Sequence, residues 1–182
     1  MTFSPEEHTS LQNFLDTWRP STTRLFEYAW ICVSNPKASR RDSPDIQGLL
    51  SAWDDSCTNQ RASARELDLL ARQYHVFVGK WLIFAERDNV DALWFRIARS
   101  THAGTLGTEA KVSPFDESSD EGRHVICVFT NDYRDFRDVK RVRESLRRLG
   151  IKDRIGYKPD AYTHCRVYSN NPWNIRPSMY NQ

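Results

Sequence analysis

Two apolar runs constrain this chain most: HVFVGKWLIF, which ends at Phe84, and RHVICVFT, over 123–130. Both are rich in the β-branched and aromatic residues that suit a pleated sheet. Between them lies VDALWFRIARSTHAG. Its Val90, Leu93, Trp94, Ile97 and Ala98 recur at helical spacing, and Gly104 suits a C-terminal cap. LGTEAKVSP follows as a strand, then the acidic loop FDESSDEG. Strands 106–113 and 123–130 can therefore pair as an antiparallel hairpin, which sets helices against a sheet that is at least partly antiparallel.

The other elements read the same way. In SPEEHTSLQNFLDTW, Ser4 can cap a helix, Pro5 suits its first position and Glu7 completes a capping box. Leu11, Phe14, Leu15 and Trp18 form its apolar stripe. RLFEYAWICV reads as a strand. A second helix takes Ser43 as cap and Pro44 as first residue, with a stripe of Ile46, Leu49, Leu50 and Trp53. A third starts at a Ser63–Glu66 capping box and turns Leu67, Leu70, Ala71 and Tyr74 inward. Gly79 marks a bend or a close backbone approach. In DYRDFRDVKRVRESLRRLG, Val139, Val142, Leu146 and Leu149 face the core, Asp135 or Asp138 starts the helix, and Gly150 stops it.

The stretch IGYKPDAYTHCRVY, over 155–168, splits with a period of two and reads as a strand. Lys158, Asp160, Tyr162, His164, Arg166 and Tyr168 share its polar side. Pro159 cannot donate to a ladder, so the strand belongs at an edge or is bulged there. The tail SNNPWNIRPSMYNQ reads as irregular. The expected class is α+β: a curved, largely antiparallel sheet backed by helices on one face, the other face partly open. Residues 1–22 are expected to pack as an N-terminal helix on a single domain of 23–182.

No apolar run approaches the ~20 residues that cross a bilayer, so no membrane partner is expected. MTFSPEEHTS is acidic and lacks the basic-then-apolar pattern of a secretory signal. The four cysteines are scattered without a C-x-x-C pair, which fits free thiols in a reducing cytoplasm or nucleus. Charge is asymmetric. Residues 1–122 hold 13 Lys/Arg against 18 Asp/Glu, and residues 123–182 hold 13 against 6. A basic C-terminal third points to a polyanion, or to a solvated helix face.

The segments GKWLIF, VDALWFRIARS and VICVFTND resemble the eukaryotic cap-binding translation initiation factor 4E. The whole chain resembles more closely a second eukaryotic family of the same fold, the basophilic leukaemia-expressed proteins. That resemblance runs through DIQGLLSAW, GKWLIF, EAKVSP, VICVFTNDY, YKPDAYT and NPWNIRPSMY. It implies a curved sheet backed by helices, with a concave face able to hold a nucleotide. Cap binders stack a methylated guanine between two tryptophans and read its edge with a carboxylate. Here the segment before Gly79, LLARQYHVFVGKW, offers Tyr74 and His75 and no Trp-Glu pair. Trp53, the nearest candidate for the other tryptophan, sits in a core stripe.

Lys80, Lys111 and Lys158 lie on separate strands and could converge on one concavity. Asp160 would hold Lys158 or a base-edge donor, Tyr162 and Trp173 would stack, and His164 and Arg166 would add polar contacts. Lys140, Arg143 and Arg147 recur at helical spacing and would track phosphates, unless they form a solvated face. No nucleophile elbow, P-loop, H-E-x-x-H or clustered metal spacing appears. No catalytic residue, cofactor or metal is assigned. The expected function is non-enzymatic binding of RNA or a nucleotide, without the tryptophan sandwich. Two alternatives stay open: a protein-interaction adaptor using the helical face, and a small enzyme acting on a phosphorylated or nucleotide substrate.

Overall fold

The computed structural model describes residues 1–4, 10–39, 43–118 and 122–182. Its elements in chain order are α1 (Leu11–Thr17), β1 (Ile31–Ser34), α2 (Ile46–Thr58), α3 (Ala64–Gln73), β2 (Gly79–Glu86) and α4 (Arg87–His102). β3 (Glu109–Val112), β4 (Arg123–Thr130), α5 (Phe136–Arg148), β5 (Gly156–Pro159), α6 (Asp160–His164) and β6 (Tyr180–Asn181) complete them. The six strands form one sheet in the order β1-β3-β4-β2-β5-β6, and every neighbouring pair is antiparallel. The expected 106–113/123–130 hairpin is the β3–β4 pair. Among the described residues no helix is long and apolar enough to cross a membrane.

Alternation along each strand sorts the sheet into two faces. Trp81, Ile83, Val128, Ile126, Ala110, Val112, Ile31, Val33 and Tyr157 are buried on one of them. There α4 packs across β1 to β4 and α5 packs on β4. Each such large apolar side chain contributes roughly 1.5–3 kcal/mol on burial. Trp81 also donates its indole N–H to the Val139 carbonyl at 3.1 Å, which ties sheet to helix. Gly79 is a close approach: a Cβ there would lie 2.3 Å from the Tyr157 hydroxyl. That hydroxyl is itself bonded to Thr130 Oγ1 at 2.6 Å.

Several boundaries differ from the sequence reading. Pro5 and Glu7 lie outside the described residues. The described first helix is capped by Ser10, whose Oγ accepts from Asn13 N at 3.1 Å. Phe14 and Leu15 enter the core. Of RLFEYAWICV only Ile31, Cys32 and Val33 are strand, in β1. Leu25 N and Phe115 N instead bond the Phe115 and Thr23 carbonyls in an isolated bridge. The cap of α2 is Asp45, not Ser43, because its carboxylate reaches Gly48 N at 2.8 Å. Ser63 caps α3 and Asp135 caps α5 as the spacing predicts.

The largest correction concerns 155–168. The strand stops at Pro159, and Asp160–His164 is helical. Asp160 N bonds the Val78 carbonyl, and Cys165 N bonds Ala161 O four residues back. Ala161, Tyr162 and Cys165 are buried together, a helical spacing that a short alternating pattern conceals. Nor is β5 an edge strand, because the tail read as irregular supplies β6 beside it.

Candidate functional site: the open face of the sheet

The face turned away from α4 carries the chemistry. One row crosses five strands through Ser34, Glu109, Phe129, Lys80 and Lys158. The next row holds Cys32, Lys111, Cys127, Leu82 and Gly156. Strand pairing thus brings Lys80, Lys111 and Lys158 onto one face around Phe129, although 78 residues separate the first from the last.

The three lysines are not equivalent. Lys80 is ion-paired with Asp160 and also donates to Thr163 Oγ1 at 3.0 Å. Its ammonium lies 5.5 Å from the Phe129 ring centroid. Lys158 is 4% exposed. It donates to the Val167 carbonyl at 2.7 Å and sits 4.1 Å from the Tyr168 ring centroid. Burial, with the neighbouring Lys80 charge adding to it, pushes its pKa down to about 8. Lys158 is therefore a structural tie between β5 and the segment after α6. Lys111 differs from both. Its ammonium lies 4.2 Å from the Trp30 ring centroid and 5.2 Å from that of Phe129. Among the described residues it has no hydrogen-bond or ion-pair partner.

A cavity of about 740 Å³ opens beside Lys111. Phe129, Val78, Pro36 and Pro44 supply its apolar lining. Glu109, Asp160, Ser34, Asn35 and Asn131 supply polar atoms. Burial raises the Glu109 carboxyl above its usual range, Lys111 opposes that rise, and Asp160 adds to it. Cys127 lies on the same face, and burial pushes its thiol up to about 11, far from thiolate. Among the described residues no three His, Cys, Asp or Glu gather to hold a metal ion.

The remaining sequence candidates fall elsewhere. Tyr162 is buried in α6 and, with Trp173, lines a separate cavity of about 530 Å³. His164 and Arg166 are exposed at and just after the end of α6, away from the lysine cavity. The α5 stripe does not form. Arg143 is fully buried and donates to the carbonyls of Ile151 at 2.8 Å, Asp153 at 2.7 Å and Gln182 at 3.2 Å. Arg147 pairs with Glu144, and Lys140 is exposed. Trp30, Glu109 and Phe129 were missed. Alternation in RHVICVFT already puts Phe129 on a face with Cys127, Val125 and Arg123. Trp30 carried no such signal, because its backbone precedes the strand.

A family model described as basophilic leukemia-expressed protein Bles03 matches residues 53–166. That span includes Lys80, Glu109, Lys111, Phe129 and Asp160, and leaves out Trp30 and Trp173. Two solved structures of Schistosome eIF4E are also similar to the chain. The one complexed with m7GpppA and 4E-BP gives 18% identity and a TM-score of 0.44. The one complexed with m7GpppG and 4E-BP gives 18% and 0.43. In both, 60% of this chain is covered, and the match spans 60% of the length of the solved chain. A likeness of that degree identifies no ligand for this chain.

Proposed function

We propose that this chain, which belongs to the basophilic leukemia-expressed protein Bles03 family, is a non-enzymatic nucleotide- or RNA-binding protein whose site is the cavity beside Lys111. The carrying observation is the state of Lys111: an ammonium held on two aromatic rings, without a carboxylate bonded to it, at the edge of a roomy concave site. Ligand sites are typically about 300–1,000 Å³, and this cavity has that size, with a lining in which polar groups alternate with apolar surface. A phosphate meets the Lys111 ammonium. The Trp30 and Phe129 rings beside it offer apolar planes to a base. Glu109 and Asp160 accept base-edge N–H donors.

Several features favour binding over turnover. Cys127 holds its proton, and the Asp160 carboxylate that borders the cavity is already charge-compensated by Lys80, which suits it to accept a hydrogen bond. The stacking surface differs from a pair of tryptophans enclosing one ring. Trp53 is 2% exposed in the core, and Trp30 works with Phe129 instead.

Fluorescence anisotropy with labelled single-stranded RNA, and competition by mononucleotides, tests this reading. Saturable binding is expected at low salt, with quenching of tryptophan emission that is lost in Trp30→Phe. Affinity falls with salt at a log–log slope of about −0.7 for each phosphate contacted. Absence of binding by both RNA and mononucleotides at low salt overturns it.

A further inference from the structure

The cavity of about 530 Å³ lined by Tyr162 and Trp173 takes no part in the proposed nucleotide site, and it shares no lining residue with the lysine cavity. Most of its wall comes from the tail motif NPWNIRPSMY. That tail is held in place. Asn171 accepts from Ile175 N at 3.0 Å and donates to the Tyr168 and Ile175 carbonyls at 2.6 and 2.7 Å. Trp173 stands edge-on to Trp53 with ring centroids 5.0 Å apart.

Three groups facing this cavity lack partners among the described residues. The first turn of α3, a ten-residue helix, borders it through Ser63 and Ala64. Ser63 Oγ caps Glu66 N, which leaves the Ala64 and Arg65 N–H groups without acceptors, at the positive end of the helix dipole. Tyr162 lines the cavity while only 6% exposed, and its hydroxyl has no hydrogen-bond partner. Arg176 lines it too, with its guanidinium free of any carboxylate. The acids of α3 are already engaged: Glu66 with Ser56 and Arg61, Asp68 with Tyr133 and Arg72. Free donors thus converge beside the apolar surfaces of Trp173, Ile175 and Met179. We propose that this cavity is a second anion site, which takes a phosphate monoester carried on an aromatic or apolar group. The phosphoryl oxygens accept from the α3 amides, Tyr162 and Arg176, and the organic body lies along Trp173.

The test is an NMR titration of the whole ¹⁵N-labelled chain with phenyl phosphate, using phenol as the uncharged control. Saturable shifts of the Ala64 and Arg65 amides and the Trp173 indole are expected, with none from phenol. Arg176→Ala weakens the affinity about tenfold and Tyr162→Phe about threefold. Lys111→Ala leaves it unchanged. The inference is overturned by the absence of saturable shifts at these groups, by equal shifts from phenol, or by indifference to both Arg176→Ala and Tyr162→Phe. It is also overturned if Lys111→Ala abolishes the shifts, which would move the anion to the sheet cavity.

Discussion

Helix α5 and the open face of the sheet both carry several cations, and they use them in opposite ways. On α5, Arg143 turns inward and closes three backbone carbonyls around the chain end. Arg141 binds Asp138 and the Leu106 carbonyl, Arg147 binds Glu144, and Arg148 binds Ser145 Oγ. On the sheet, Lys80 and Lys158 are engaged in the same sense, but Lys111 rests on aromatic rings beside a cavity. Charge density therefore separates the two regions poorly. What separates them is a cation whose valence is still unused, in a concave place where a ligand fits.

The comparison breaks most visibly at Arg143. Arg143→Met should cost about 3–5 kcal/mol in urea unfolding, because three acceptors lose a charged donor in a buried place. The fraction that still folds should keep its ligand affinity. A loss of affinity with stability intact would return α5 to the site.

Next in size is the Lys80–Asp160 pair. Asp160→Asn leaves a nearly buried ammonium without its counter-charge and should cost about 2 to 3 kcal/mol. Adding Lys80→Met should recover most of that loss. If the double variant is no more stable than the single one, the pair is not what holds α6 onto β2.

A smaller effect is expected from Lys158. Its folded pKa lies near 8 and the ordinary lysine value is 10.5. Between those values the unfolded chain holds a proton that the folded chain lacks, so this group's contribution to stability grows as pH rises through that window. Below about pH 8 both states are charged and the burial penalty stands in full. Unfolding midpoints from about pH 7 to about pH 10 should show the rise in the parent and its absence in Lys158→Met. The smallest effect belongs to the helix surface: Lys140→Ala with Arg147→Ala should change stability by no more than about 0.5 kcal/mol.

Much of the fold was legible because α4, α5, β2 and β4 have long periodic patterns, and Ser63 and Asp135 sit where caps are needed. The stretch after Tyr157 misled for a physical reason. Over five residues, alternation and a single helical turn bury overlapping sets, and the Cys165–Ala161 backbone bond is what marks the helix. The convergence of three lysines could be anticipated from strand alternation. Which one is free could not, since the partners Val167, Thr163 and Asp160 reach their lysines through the α6 turn. Arg143 was misread because helical spacing with Lys140 and Arg147 says nothing of which side faces the chain terminus. Glu109 enters the site through its register with Ser34 and Phe129, and Trp30 only through the Lys111 ammonium on its ring.

The most direct measurement sets the two regions against each other in one assay. Anisotropy with labelled single-stranded RNA at low salt is run on the parent, on Lys111→Ala, and on the Lys140→Ala, Arg147→Ala double variant, with thermal unfolding as the folding control. Lys111→Ala is expected to weaken binding about tenfold or more while melting close to the parent. The helix variant should bind like the parent. Binding that survives Lys111→Ala unchanged, or that falls with the helix variant instead, would contradict the claim that the unengaged sheet lysine marks the site.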